Sequence, residues 1–237
     1  MISFICACNN EELINSMLVS SLKCQKCQDF EIIIIDAKKH GFTSASQTLN
    51  YGASISNGDI LVFVHQDIRF ENDSIIDKIV MFSNNNNFGI AGVAGVKYGN
   101  KQVFSSIYHG TSHSKVGVFI DDIKEVASLD ECLLIVKKKD FKGFKEYNSW
   151  HFYGVEYSLR CFVNNEKVLL FPLELYHLSP GNSLNDNYWI TLKKVARDFK
   201  KLNYIPTTFT QFRNNFLLNF QIIKLKKKLK RRGDLNE

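Results

Sequence analysis

Side chains able to hydrogen-bond, to ligate a cation or to move a proton gather directly after short apolar runs. Asn9 and Asn10 follow residues 2–7, Asp36 follows residues 31–35, and His65-Gln66-Asp67 follows residues 59–64. Amides can hold a ligand by paired hydrogen bonds, whereas a carboxylate and an imidazole can share a divalent cation or pass a proton. The bland alternative is that an Asp closing a strand is an ordinary turn or cap residue. Cys24 and Cys27 have the spacing of half a zinc site, but no second Cys/His pair of matching spacing follows. Zinc is therefore not expected. Cys6 and Cys8 lie two apart on a predicted strand and share a face, as small core residues do.

The elements that must position these residues alternate. Strands are predicted over 2–7, 31–35, 59–64 and 89–96. Helical spacing is seen over 11–22 and 44–55, and from a cap at Asp73 or Ser74 to about 82. The run 31–35 is β-branched and nearly all apolar, as in a strand buried on both faces of a parallel sheet. This order predicts an α/β fold with an open, doubly wound sheet flanked by helices, whose ligands bind at the carboxyl ends of the strands. Residues 99–122 read as strand-rich, 131–137 and 167–171 as strands, and 151–162 and 184–202 as helices. The main body, residues 1–205, is expected to end near Pro206, and 206–237 to form a basic amphipathic C-terminal helix.

Composition narrows the class. Hydrophobic residues make up 45% and charged residues 23%, which suits a folded globular chain. No apolar run approaches the roughly 18 residues of a membrane-spanning helix. The N-terminus reads as a strand rather than a signal peptide, so a cytoplasmic protein with free thiols is expected. Seven basic residues lie within Lys224–Arg232, and setting them aside takes the net charge from +6 to −1. A nucleic-acid partner needs a basic body with interleaved aromatics, so none is expected. Leu218, Ile222, Leu225 and Leu229 form an apolar stripe flanked by that basic run, suited to peripheral docking on an anionic membrane surface. The first strand is followed by Cys8-Asn9-Asn10-Glu11-Glu12, without glycine. That excludes the G-x-G-x-x-G of dinucleotide enzymes and the Gly-rich basic loop of sugar nucleotidyltransferases.

Four blocks, in order, resemble the inverting family 2 glycosyltransferases of the A-type fold, in particular a bacterial branch with a His-Gln-Asp motif. Residues 20–36 are similar to that family's "S-L-x-x-Q … F-E-I-I-x-V-D". Asn57-Gly-Asp-Ile-Leu-Val-Phe-Val-His-Gln-Asp67 is similar to "G-D-I-L-V-F-L-H-Q-D". Trp150-His-Phe-Tyr-Gly-Val-Glu-Tyr-Ser-Leu-Arg160 and Leu175-Tyr-His-Leu-Ser179 resemble "H-F-Y-D-x-D-x-x-L-R" and "Y-H-L-S". The likeness spans residues 1 to 182.

The resemblance implies metal-dependent, inverting transfer from a nucleotide sugar, with a UDP-sugar favoured, to a glycan or lipid-linked glycan. Asp67 takes the place of the last carboxylate of the D-x-D metal motif, with His177 as second ligand of Mn²⁺ or Mg²⁺. Asn9, Asn10, Asp36, His65 and Gln66 are implied on the donor, Asp36 at the nucleobase. Trp150 and Tyr153 are candidates to stack on an acceptor sugar, or else to pack in the core. The family's catalytic Asp falls on Gly154, which has no side chain. That leaves Glu156 as the implied base, with Asp130 or Glu146 as other acids and a catalytically inactive nucleotide-sugar-binding module as the alternative. Glu156 is also spaced to pair with Arg160 along a helix.

Overall fold

The computed structural model describes residues 1–178 and 184–232; Ser179 and the end of the tail, 233–237, lie outside the described residues. β1 (Ile2–Cys8) leads into α1 (Glu11–Ile14), a π-helical turn (Asn15–Val19) and α2 (Ser20–Lys23). β2 (Phe30–Asp36), α3 (Ala45–Ile55), β3 (Ile60–Val64), β4 (Ile68–Phe70) and α4 (Ile75–Asn85) follow. The middle of the chain is strand-rich, as expected: β5 (Ile90–Gly92), β6 (Ala94–Val96), β7 (Val103–Ser105), β8 (Ile107–His109), β9 (Ser114–Lys115), β10 (Val118–Phe119), β11 (Lys124–Val126), β12 (Ser128–Leu129) and β13 (Leu133–Lys137). Then come α5 (Tyr153–Val163), β14 (Val168–Leu170), β15 (Leu175–His177), α6 (Asp186–Asp198), β16 (Tyr204–Pro206), β17 (Gln211–Arg213) and α7 (Leu218–Arg232).

The predicted open α/β sheet is present, with seven strands in the order β11-β14-β5-β13-β3-β1-β2. It is mixed rather than wholly parallel. β1 runs parallel to β2 and β3, but β13 inserts antiparallel between β3 and β5. The expected strand 89–96 divides at Val93, its second half joining the smaller sheet β10-β7-β6-β12. A third sheet, β4-β15-β8-β9, caps the carboxyl end of β3. All five side chains of β3 are buried, each large one worth roughly 1.5–3 kcal/mol. β2 departs from its reading as a doubly buried strand: it is the sheet's edge, and Ile34 is 44% exposed. A β-branched run marks a strand but cannot report whether a neighbour lies beyond it.

Helices cover both faces. α1, α2 and α4 pack with Phe4, Val62 and Ile135 on one side, and α3 and α5 with Ile5, Phe63 and Leu134 on the other. α3 lies close on the sheet because Gly52 faces Ile5 and Ile35, and a Cβ there would come within 2.4 Å of Ile5 Cγ2. Among the described residues no helix is long and apolar enough to cross a membrane.

The tail corrects one expectation. Leu218, Ile222 and Leu229 are buried, with Leu225 beside them, against Trp189, Leu192 and Val195 of α6, so that stripe packs on the protein itself. Lys226 Nζ bonds Asp186 Oδ1 at 2.6 Å across the same junction. The boundary expected at 206 falls on the last residue of β16, whose hairpin with β17 lies under α7.

At the amino edge of the sheet, Glu31 joins three strands. It accepts from Ser3 Oγ at 2.6 Å and Asn57 Nδ2 at 3.0 Å, and Gly58 N–H donates to Ser3 Oγ at 2.8 Å. Burial alone would push its carboxyl up, but the Ser3, Asn57 and Gly58 donors outweigh that and hold its pKa at about 2. A carboxylate depressed on folding adds stability above its unfolded value, and that stability is lost as pH falls through the folded one. Glu31→Gln should lower the melting temperature by roughly 3–10 °C at pH 7, since hydrogen bonds to a charged group are worth about 1.5–3 kcal/mol. The gap to wild type should narrow as pH drops from 4.5 towards 2, and thermal melts at pH 7 and pH 3 check both statements.

Candidate active site

β3 ends at Val64 and the chain turns through His65-Gln66-Asp67 into β4. His65 N–H donates to Cys132 O at 3.0 Å, which ties this turn to the start of β13. β4 then pairs antiparallel with β15, with Ile68 opposite His177, and Leu178 N–H donates to Asp67 O at 3.1 Å. The pairing sets Asp67 Oδ1 3.3 Å from His177 Nε2, the two side chains being 18% and 12% exposed. Ligand atoms of His65, Asp67 and His177 lie within 4.8 Å of one another.

The residues fit a divalent cation. His177 Nε2 is buried without a hydrogen-bond partner among the described residues, because its approach to Asp67 is outside hydrogen-bond geometry. A buried polar atom in that state is costly unless something else satisfies it. Burial and then the neighbouring His177 push His65 below its ordinary value, so its ring stays neutral, the form that ligates metal. Burial raises Asp67, but the adjacent His177, with His65 beyond it, holds it below the usual carboxylate range, so it is ionised. One carboxylate with imidazoles suits Mn²⁺ better than Mg²⁺, which prefers oxygen.

Gln66, Asn9 and Asn10 are brought together, with their side chains largely spent on one another. Gln66 Oε1 accepts from the Asn9 and Asn10 amides, both at 3.1 Å, and its Nε2 donates to Asn9 Oδ1 at 2.6 Å. Asn10 Oδ1 caps α1 by accepting from Leu13 N–H at 3.0 Å. These three residues tie the turn after β1 to the turn after β3. Asp36, at the end of β2, accepts from the Lys38 and Lys39 amides at 2.9 and 3.2 Å, and Lys39's amide is the main cause holding it below its usual value.

Two expected roles do not survive the geometry. Tyr153 is 4% exposed and packs against Phe144, so it offers no face to a sugar. Its hydroxyl instead donates to Glu131 O at 3.1 Å and lies 3.3 Å from His65 Nε2. Glu156 is 3% exposed and pairs with Arg160 at 3.1 Å. The helical rotation that buries this pair also keeps its carboxylate out of the cleft. Glu146 is likewise engaged, accepting from Ser44 Oγ at 2.6 Å. Trp150 is 45% exposed just ahead of α5 and remains available as a platform.

Asp130, one of the other acids expected, and two residues that the sequence did not single out, His109 and Glu131, complete the surroundings. β8 runs parallel to β15 with His109 opposite His177, ring centroids 5.6 Å apart. Burial, then His177, pushes His109 down as well. Asp130 accepts from Thr208 Oγ1 at 2.8 Å and Cys132 N–H at 3.1 Å. Burial raises it, but these donors and the two histidines bring it below the usual carboxylate range. Glu131 lies next to it, at the start of α5. A cavity of about 430 Å³ opens beside His109 and Leu178, lined also by Gly110, Ser112, Ser114 and Lys115.

A family model described as "Glycosyltransferase like family" matches residues 3–209. The chain belongs to this family. Among curated proteins none matches. Solved structures of S. aureus TarS share its glycosyltransferase fold. TarS 1–349 is 14% identical with a TM-score of 0.57, over 85% of this chain and 66% of that one. TarS 1–349 in complex with UDP-GlcNAc is 12% identical with a TM-score of 0.57, over 85% and 67%. Its complex with UDP is 12% identical at 0.54, over 85% and 66%. At these identities the likeness is one of fold, and the chain spans about two thirds of the length of TarS 1–349.

Mn²⁺ titrated into the protein with UDP present should bind at least tenfold more weakly in Asp67→Ala and in His177→Ala than in wild type. His109→Ala should change the affinity less than threefold. Calorimetry distinguishes these outcomes, and wild-type affinity in Asp67→Ala would remove that carboxylate from the site.

Proposed function

We propose that the protein transfers a sugar with inversion from a nucleoside diphosphate, with a uridine diphosphate sugar favoured, to a hydroxyl of a glycan or lipid-linked glycan. The observation that carries this reading is the buried, unbonded His177 Nε2 facing Asp67 at the carboxyl end of β3, in a glycosyltransferase-family chain. Ligands of open α/β sheets bind at that end. Asp67 and His177, with His65 alongside, would hold Mn²⁺ or Mg²⁺, which would supply positive charge against the leaving diphosphate. The Asn9-Asn10 turn, fixed by Gln66, and the end of β2 at Asp36 border the space for base and ribose. The carboxylate of Asp36 suits the imide N–H of uracil. The hydroxyl-lined cavity with Lys115 suits a sugar or phosphate on the acceptor side. TarS, of similar fold, has structures with UDP-GlcNAc and with UDP, which favours the same donor class. A binding module without transfer is the second reading, motivated by Gly154.

The membrane reading moves to the other face of α7. Phe216, Phe220 and Ile223 are 82%, 70% and 52% exposed on the side opposite the packed stripe, with Lys224, Lys227 and Lys228 around them. Aromatic side chains among lysines suit the interface of an anionic leaflet on the cytoplasmic side, where a lipid-linked acceptor would be met.

Two outcomes are expected. UDP with Mn²⁺, at a hundred times its dissociation constant, should stabilise the protein by about 2.7 kcal/mol and raise its melting temperature by roughly 5–10 °C, more than GDP, dTDP or CMP. No shift with any nucleotide would end the donor reading. Phe216→Ser with Phe220→Ser should at least halve pelleting with phosphatidylserine vesicles at low salt; equal pelleting ends the membrane reading.

A further inference from the structure

Inverting transfer needs one group that none of the expected residues supplies, a carboxylate free to take the acceptor's proton. The acids around the cleft can be sorted by what already holds them. Asp67 faces His177, and Asp130 has one oxygen on Thr208 and the other on Cys132. Asp36 is engaged with the turn after β2, and Glu156 is closed in with Arg160. Glu131 differs in its partners: among the described residues its carboxyl meets backbone amides and no cationic side chain or hydroxyl. It stands just before β13, beside the His65 turn, because Cys132 O receives the His65 amide and Glu131 O receives the Tyr153 hydroxyl that also meets His65.

Its carboxyl faces the first turn of α5. Gly154 N–H donates to Glu131 Oε1 at 2.8 Å, and the amides of Phe152 and Val155 also face the carboxyl. Phe152 holds a left-handed backbone (φ 70°) while 2% exposed, so core packing maintains a strained turn that aims these amides at one point. A Cβ on Gly154 would lie 3.0 Å from Glu131 Cγ and 2.8 Å from Leu134 Cδ1. The Glu131 side chain therefore occupies the volume that a side chain at 154 would need. An acid reaching in from the turn before β13 and a residue without a side chain on the helix are two halves of one arrangement.

We propose that Glu131 is the general base of the transfer, which rests on the donor reading above. The acceptor oxygen attacks the anomeric carbon while its proton passes to the Glu131 carboxylate. The bond from that carbon to the diphosphate breaks, and its electron pair stays with the diphosphate oxygen. The proton on Glu131 then leaves to solvent. Burial, against the opposing pull of the helix amides, lifts this carboxyl to about 8, near the working range of a base at neutral pH. The titratable groups facing it are Asp130 beside it in the chain, Tyr153 from α5 and Tyr188 from α6.

The test uses the full chain with Mn²⁺, reading UDP binding by calorimetry and UDP release from UDP-sugars, with water or an added glycan as acceptor. Glu131→Gln should bind UDP within threefold of wild type and lose roughly 10²–10⁴-fold in turnover. Glu131→Asp should lose less. Wild-type turnover should rise with pH towards about 8, and Glu131→Gln should lack that rise. Glu131→Gly alone should be as slow as Glu131→Gln, and adding Gly154→Asp should recover at least tenfold, the acid returning to the same volume from the helix. The assignment is overturned if Glu131→Gln keeps turnover within threefold, if it loses UDP binding instead, or if wild type binds UDP and releases none while Gly154→Asp does. A wild type that binds no UDP overturns the donor reading itself.

Discussion

The antiparallel pairing of β4 with β15 is the constraint on which the site depends. It joins the residue after the His-Gln-Asp turn to a strand far along the chain, opposing Ile68 to His177. Asp67 and His177 are then neighbours by register, and neither can move away without breaking backbone hydrogen bonds. β8, on the other side of β15, extends the row to His109. A slip of one residue in either ladder would turn His177 to the opposite face. The small sheet thus acts as a frame that sets a carboxylate and imidazoles at one point, with His177 Nε2 making no hydrogen bond among the described residues. Such an unsatisfied atom costs stability, and a protein keeps that cost where a ligand removes it.

A second consequence follows from the direction of β13. Running antiparallel to β3, it begins where β3 ends, so residues 130–132 lie beside 65–67. A parallel strand would have put its far end there. Asp130 and Glu131 come beside the His65 turn for that reason, and α5 starts with its amides pointing at the Glu131 carboxyl. Two adjacent acids take different protonation behaviour from their surroundings. Donors and histidines hold Asp130 ionised, whereas burial lifts Glu131 to about 8.

α6 links the site to the tail. Its buried face meets Phe152, at the left-handed turn before α5, through Tyr188, and meets α7 through Trp189 and Leu192. The C-terminal helix spends its apolar stripe on this contact and turns Phe220 and Ile223 outward. An amphipathic stripe has to be covered by something, and here the body lies nearer than any bilayer.

Local pattern was enough to read the first half of the chain. β-branched runs, capped helices and polar residues at strand ends follow from backbone sterics and periodicity, which act over a few residues. Asn9, Asn10, Asp36 and His65-Gln66-Asp67 fall at strand ends for that reason, and the ordered motifs pointed to the glycosyltransferase family that the match over residues 3–209 supports. What the sequence could not decide was set by partners distant in the chain. The edge position of β2, the antiparallel insertion of β13, the inward face of α7 and the meeting of His109 with His177 all depend on which segments become neighbours. Gly154 shows this most clearly. In the sequence it is a missing acid on a helix; in the fold it is the space that Glu131 fills from the turn before β13, because packing is sensitive to volume at a point and indifferent to which segment supplies it.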